Sequence, residues 1–408
     1  MAEVPVGRRV AYWRGRRNLS QQLFADRLGK SKSWVDKVER GVRRLDRFSV
    51  LHEIAGVLRI DVQLLLPEGQ QPQPVGPTSL VMPAEVEAVQ LALERYELHG
   101  LCPAPDPPPL DVVRKSVRHA WAAFQHGRYP VVVRAVPKLL RDVQAAEVAY
   151  RVPAERVAET AHLHGQAYLV ASALVRKLGQ HRLAWIAADR AMTIAERAGD
   201  ILLTGLVAGY AGQALIGVGR ARSAVELATL AATALAPGGA AYPEHLSVYG
   251  HLLLQAAIAA ATIGDSTTVR DLLGAAGEAA QDLVDDHNHY WTAFGPTNLA
   301  LHRAAAAVQL GDGDQAIRIH QRDVDPDLLA TLPAERRANH QLTLARAYAQ
   351  AGDAGQAGDA LLLGDQLAQA EIRCRPIAHT VMTDVLRATR GTPPPPVATL
   401  AEQMGVGS

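Results

Sequence analysis

Aromatic residues are scarce in this chain, 5% of the total, and unbroken Val/Ile/Thr runs of the kind that build buried strands are nearly absent. Alanine and leucine dominate instead, which places the chain in the all-α class. Cysteine is almost missing: Cys102 and Cys374 stand far apart with no CxxC spacing, so neither a disulfide framework nor a zinc knuckle is implied. A reducing, cytoplasmic setting is the simpler expectation. The opening stretch MAEVPVGRRVAYWRGRRNLS has no apolar signal core, and charge interrupts the alanine-rich runs before they reach membrane-spanning length. Enzyme signatures are absent too. There is no GxxxxGKS/T phosphate loop, GxSxG elbow, HExxH or strand-led GxGxxG, so no catalytic activity, cofactor or metal is expected.

What the chain does have is a lopsided charge. Residues 1–66 hold 14 Lys/Arg against 7 Asp/Glu, a net of +7, and the remainder holds 28 against 34, a net of −6. A basic module on an acidic body is the electrostatic footprint of a nucleic-acid reader attached to something else. With 408 residues the chain is also too long for one ordinary core.

Composition breaks divide it. PEGQQPQPVGPTS, residues 67–79, is polar and proline-rich and reads as a semi-extended spacer, and GLCPAPDPPPL, residues 100–110, is a second break. Between them residues 84–99 carry helical spacing and form a bridging helix. The expected organisation is a DNA-binding head at 1–66, a linker with one bridging helix at 67–110, a helical-repeat sensor domain at 111–390 and a flexible tail at 391–408.

The repeat shows in its glycines. Gly179, Gly219, Gly264, Gly311 and Gly352 follow one another at 40, 45, 47 and 41 residues, with Gly127 before them. Seven residues before each glycine lie Ala120, Ser172, Gly212, Ala257, Ala304 and Ala345, and five after lie Val132, Ala184, Ala224, Val269, Ala316 and Ala357. Small residues in those columns let antiparallel helices approach closely, the pattern of an α-solenoid. The arrangement resembles the tetratricopeptide repeat over roughly 280 residues, with a longer period and without most of its aromatic signature.

In the head, NLSQQLFADRLGKSKSWVDKVERG reads as two short helices around a tight turn. Ser20 caps the first, with Phe24, Ala25 and Leu28 inward; Gly29 makes the turn; Ser31 caps the second, with Val35 and Val38 inward. Val6 to Arg17 supplies a helix upstream and FSVLHEIAGVLRIDVQLLL two more downstream, giving a small five-helix core. At these residues the chain resembles the Cro/phage-repressor type (XRE family) of helix-turn-helix domain, departing from it at Lys30 in the turn. A recognition helix enters the major groove with its N-terminal side chains at the base edges. The resemblance therefore implies Lys32, Ser33 and Lys37 as base readers, Gln21 as a phosphate anchor, and Arg43, Arg44 and Arg47 as backbone contacts. Lys32, Lys37 and Arg43 could also be ordinary solvated charge. Trp34 either stacks on the sugar-phosphate backbone or covers the edge of the core, and Arg14 with Glu39 reads as a structural ion pair.

In tetratricopeptide repeats the groove-lining residues fall about 13, 9 and 6 positions before the turn glycine, on one helical face. Carried onto this chain, those offsets imply Arg114, Arg118 and Trp121; Gln166, Val170 and Ala173; Leu206, Tyr210 and Gln213; His251, Gln255 and Ile258; Asn298, His302 and Ala305; and Asn339, Thr343 and Arg346. The face is rich in amides, imidazoles and arginines, which can pair with a peptide or a polar small molecule, though a concave face is wet in any case. HNHYWTAFGPTNLALHR, residues 287–303, gathers Trp291 and Phe294 with Asn298 and His302 in an aromatic-poor protein. These aromatics form either a ligand cage or a staple to the preceding repeat, and the pairing of His287 and His289 with Asp285 and Asp286 is too weak a pattern to imply a metal. The plan is similar to that of repeat-containing quorum-sensor regulators. It implies double-stranded DNA, a small-molecule or peptide effector and a second copy of the chain as partners, and no membrane. The alternative is a repeat domain that serves only as a protein-protein interaction scaffold.

Overall fold

The computed structural model describes residues 5–17, 19–43, 45, 48–58, 60, 65, 80–95, 107–150, 152–239, 241–283, 288–389 and 391–406. They are helical, with no β-strand among them, and divide into two compact units at 73/74.

The first unit holds α1 (Val6–Arg16), α2 (Gln21–Arg27), α3 (Lys32–Glu39) and α4 (Phe48–Leu58). Ser20 and Ser31 cap α2 and α3 as their positions require, each hydroxyl accepting a backbone N–H three residues on at 3.1 Å. Gly29 makes the turn at φ +62°, a conformation that costs a residue with a Cβ. Val10, Trp13, Phe24, Val35, Ile54 and Leu58 close the core. The expected fifth helix lies at 61–66, where only Leu65 is described; it is buried in the same core.

The second unit is the solenoid. Helices α6 (Leu110–Gln125), α8 (Ala154–Lys177), α10 (Ile201–Gly217), α12 (Pro243–Thr262), α14 (Pro296–Gln309) and α17 (Ala334–Ala351) pair with α7 (Tyr129–Ala149), α9 (His181–Ala198), α11 (Ala221–Ala234), α13 (Ser266–Gln281), α15 (Gly313–Asp323) and α18 (Ala354–Leu367). A short α16 (Pro326–Thr331) interrupts the last step, and α19 (Gln369–Arg373), α20 (Pro376–Ala388) and α21 (Pro395–Gln403) end the chain. The first helix of each pair packs on the first helix of the next, and α17 returns against α6, so the inner helices close on themselves.

The repeat columns explain this packing. All six turn glycines have positive φ, between 67° and 86°. The residues seven before and five after them are buried, and Ser172 donates to the Ala184 carbonyl at 2.8 Å across one pair. The step of 47 residues is longer because it contains the segment before α14, where a 3-10 turn spans His289–Trp291.

Two expectations about boundaries are corrected. The bridging helix is α5 (Pro83–Glu94), and it packs on α7 and α9 with Val89 and Leu93 fully buried in the solenoid core, so it begins the second unit rather than spanning a linker. The tail is not loose: α21 buries Val397, Leu400 and Ala401, followed by Met404, against the last repeat, because its apolar residues recur on one face.

Candidate functional site

On α3, packing consumes one face. Val35 and Val38 are buried in the head core, while Lys32 and Ser33 at the start of the helix and Lys37 in its last turn are exposed, so the helix presents two cations and a hydroxyl to solvent. Trp34 is half-buried at the core edge, and the Arg43 guanidinium lies over its ring, 5.8 Å from the centroid. Arg14 grips Glu39 with two hydrogen bonds, Nε to Oε1 at 2.6 Å and an Nη to Oε2 at 3.0 Å. Gln21 donates to the same Oε2 at 2.8 Å, so its side-chain amide is engaged within the head. Arg44 and Arg47 lie outside the described residues.

In the solenoid, a cleft of about 480 Å³ opens between α6, α8, the start of α12 and the turn at 288–291. Arg114, Arg118, Gln166 and Trp291 line it together with Glu159, His162, Glu244 and Tyr290. Arg114 Nε donates to Glu159 at 2.7 Å, whereas Arg118 is exposed at the rim. Inside, Gln166 is 3% exposed and its Oε1 has no hydrogen-bond partner among the described residues. The turn is tied firmly across the cleft: Gln125 of α6 donates to Asn288 Oδ1 at 3.0 Å and to the Trp291 carbonyl at 3.2 Å, and Asn288 donates back at 2.8 Å. The Trp291 ring stacks on Trp121 with centroids 6.0 Å apart. Tyr290, Trp291 and Ala293 hold φ of 52°, 62° and 49°, left-handed conformations that residues with side chains adopt at a cost. Burial, and after it Asp200 and Glu244, pushes the Tyr290 hydroxyl up to about 12.

Residues 5–66 match the family described as "Helix-turn-helix domain". That match covers the buried core of the head, both serine caps and the exposed face of α3. The head is a helix-turn-helix DNA-binding domain. No curated protein matches the chain. Among solved structures, one described as "Crystal Structure of Bacillus thuringiensis PlcR in complex with the peptide PapR7 and DNA" is 12% identical, with 78% of this chain and 94% of that one covered and a TM-score of 0.35. A score so low supports no reading of fold or ligand, and the solenoid rests on the helix pairs described above.

The helix-turn-helix head thus displays Lys32, Ser33, Lys37 and Arg43 on its surface, while the implied groove residues of the solenoid scatter. Arg114, Arg118, Gln166 and Trp291 meet in the cleft. Tyr210 and His251 face each other deeper in, with ring centroids 5.6 Å apart. Burial pushes Tyr210 up to about 12; burial, followed by Arg336, His302 and Arg176, holds His251 down to about 3. Gln255 and Thr343 are buried, and Gln213 and Asn339 are half-buried. Arg346 donates to Gln309 at 2.8 Å. Trp121, Val170, Ala173, Leu206 and Tyr210 belong to the solenoid core, and Phe294 and Asn298 are built into the interior with them. Phe294 is fully buried against Gly250, where an added Cβ would come within 2.0 Å of the ring, and Asn298 donates to the Thr292 carbonyl at 3.4 Å from a position 2% exposed. His302 shares a 2.9 Å hydrogen bond with the Asn298 carbonyl. Of the two uses weighed for the aromatics, Phe294 is the staple and Trp291 lines the cleft.

Among the described residues no three His, Cys, Asp or Glu come together as metal ligands, and Asp285, Asp286 and His287 lie outside them. No described helix is long and apolar enough to cross a membrane. The cleft residues missed in the sequence, Glu159, His162 and Glu244, sit outside the three groove columns; Asn288, His289 and Tyr290, also at the cleft, stood in the unusual aromatic segment.

Proposed function

We propose that this protein is a transcriptional regulator that binds operator DNA as a homodimer through α3 and takes a small-molecule or peptide effector in the cleft beside Trp291. Lys32, Ser33 and Lys37 read bases in the major groove, and the flanking arginines hold phosphates. The observation that carries the effector reading is the mixed character of the cleft: arginines, a carboxylate, an unpartnered buried amide and an aromatic ring converge around a cavity of ligand size. Its floor is the left-handed turn that joins α6 to the segment before α14. A ligand that prefers one placement of this turn shifts the population of solenoid conformations, and with it the spacing of two heads on half-sites about one DNA turn apart.

The test is fluorescence anisotropy on the chain's own upstream DNA, with culture extract split into protease-treated and untreated halves, for the wild type and Arg118→Ala. A response to both halves identifies a non-peptide effector, and a response to the untreated half alone a peptide or protein. Loss of the response in Arg118→Ala, with DNA affinity unchanged, assigns it to the cleft. Specific DNA binding that neither extract alters argues for the scaffold reading, in which the repeats hold a protein partner.

A further inference from the structure

The interior of the solenoid contains a second set of charged groups used by neither the head nor the cleft. Lys177, the last residue of α8, donates to Glu335 at the start of α17 and, at 2.6 Å, to Glu371 of α19. Arg375 donates to Glu371 and Asn339, and the Tyr129 hydroxyl donates to Glu371. Lys177 and Arg375 therefore already engage the two carboxylates. Two more guanidinium groups act on the same cluster. Arg336 reaches Glu335 only at 3.6 Å, and among the described residues its buried Nε has no hydrogen-bond partner, nor does that of Arg176, adjacent to Lys177.

Four cations, Arg176, Lys177, Arg336 and Arg375, thus face two carboxylates, an excess of two positive charges. The electrostatics bear the same mark. Burial would raise the Glu335 carboxyl, yet Lys177 and Arg336 hold it at about 2, while burial and Arg375 lower Lys177 to about 8. Burial is the larger cause at Lys177 and Arg375 adds to it, whereas the carboxylates of Glu335 and Glu371 hold the Arg336 and Arg375 guanidinium groups up against burial. Tyr210 and His251 both lie within the influence of Arg176 and Arg336, and the Nε2 of His251, 2% exposed, has no hydrogen-bond partner among the described residues. The Arg336 side chain remains 16% exposed, while the Nε atoms of Arg176 and Arg336 are themselves enclosed.

We infer that the inner surface around Arg176, Arg336, Tyr210 and His251 is a binding site for a doubly charged oxyanion group, either a phosphate monoester or a dicarboxylate. Unpaired buried cations are costly, and a guanidinium fork matches an oxyanion with two parallel hydrogen bonds. An anion carrying two charges cancels the excess. This site has no lining residue in common with the cleft beside Trp291, so it stands or falls independently of an effector there.

Thermal unfolding and calorimetric titration of the full chain test it, in sodium chloride, inorganic phosphate and succinate at matched ionic strength, for the wild type, Arg176→Gln, Arg336→Gln and Lys177→Gln. Phosphate or succinate is expected to raise the wild-type Tm in a concentration-dependent way, the more effective of the two naming the class. Each arginine variant should bind that anion about 30-fold more weakly or worse. In chloride alone the arginine variants should melt no lower than wild type, since they remove surplus charge, whereas Lys177→Gln should melt lower because it strips both carboxylates of their shared partner. The site is overturned if neither anion stabilises beyond chloride, or if both arginine variants keep the full effect, which would mean an adventitious ion only. It is equally overturned if the arginine variants lose as much stability in chloride as Lys177→Gln, which would make the guanidinium groups structural.

Discussion

The head and the solenoid both concentrate positive charge, and they place it in opposite surroundings. Lys32 and Lys37 stand in solvent on a helix that buries Val35, Val38 and Glu39 beneath them, and Arg43 is exposed just beyond its end, so each can meet a polyanion and is screened by salt until it does. Lys177 lies 2% exposed between two carboxylates, with Arg176, Arg336 and Arg375 around it. There a charge without a partner is a structural problem rather than an opportunity. The same residue type is thus a recognition element in one unit and part of a finely balanced interior in the other.

The sharpest way to break the comparison is to remove an interior carboxylate. Glu371→Gln leaves Lys177, Arg375 and Tyr129 without the anion they share and is expected to destabilise the solenoid by about 3–5 kcal/mol, measured by urea unfolding. Acid should separate the units next. His181, His251, His302 and His340 are held neutral, first by burial, with pKa values lowered to about 4, 3, 4 and 3. Below pH 6.5 the unfolded chain takes up protons that the folded solenoid refuses, so stability falls as pH drops from 6.5 towards 4. The head contains a single histidine, His52, and should lose less over that range. Circular dichroism against pH checks this, and His251→Gln should flatten the slope.

On the exposed side the effects are smaller and concern affinity. Lys32→Ala and Lys37→Ala should each cost about 1–3 kcal/mol on specific DNA and relax sequence preference if they read bases, while Arg44→Ala should weaken all DNA alike. Equal losses on specific and random DNA for all three would remove Lys32 and Lys37 from the set of base readers. The smallest change is Ser31→Ala, which deletes the cap of α3 and should lower head stability by about 1 kcal/mol with the solenoid untouched.

How much of this was legible in the sequence follows from the range of the interactions. The head was readable because its signals are local: Ser20 and Ser31 cap what they precede, and Gly29 turns the chain beside them. The repeat was readable because Gly127, Gly179 and their successors recur with small residues at fixed offsets, and packing of neighbours needs nothing further. The groove columns transferred poorly. They described each inner helix in isolation, whereas the return of α17 against α6 and the turn at 288–291 decide which side chains meet. Phe294 therefore became core, and Arg176, at the end of α8, became part of the interior cluster. Tail residues 395–403 were misjudged because prolines on their N-terminal side suggested looseness, while Val397, Leu400 and Ala401 lie on one helical face.

The return of α17 against α6 also changes how the chain must fold. An open solenoid is additive: each repeat leans on its neighbours, and a terminal repeat can be cut away at the cost of one interface. Here the Tyr129 hydroxyl meets Glu371 across 242 positions of sequence, and Gly127 lies so close to Ala368 that an added Cβ would come within 2.6 Å. Closing that span gives the unit a contact order far above that of an ordinary helical array, and its last contacts wait for the C-terminal helices to be synthesised. Shortening the chain from either end should therefore weaken the opposite end as well, and the solenoid should unfold as a single cooperative block.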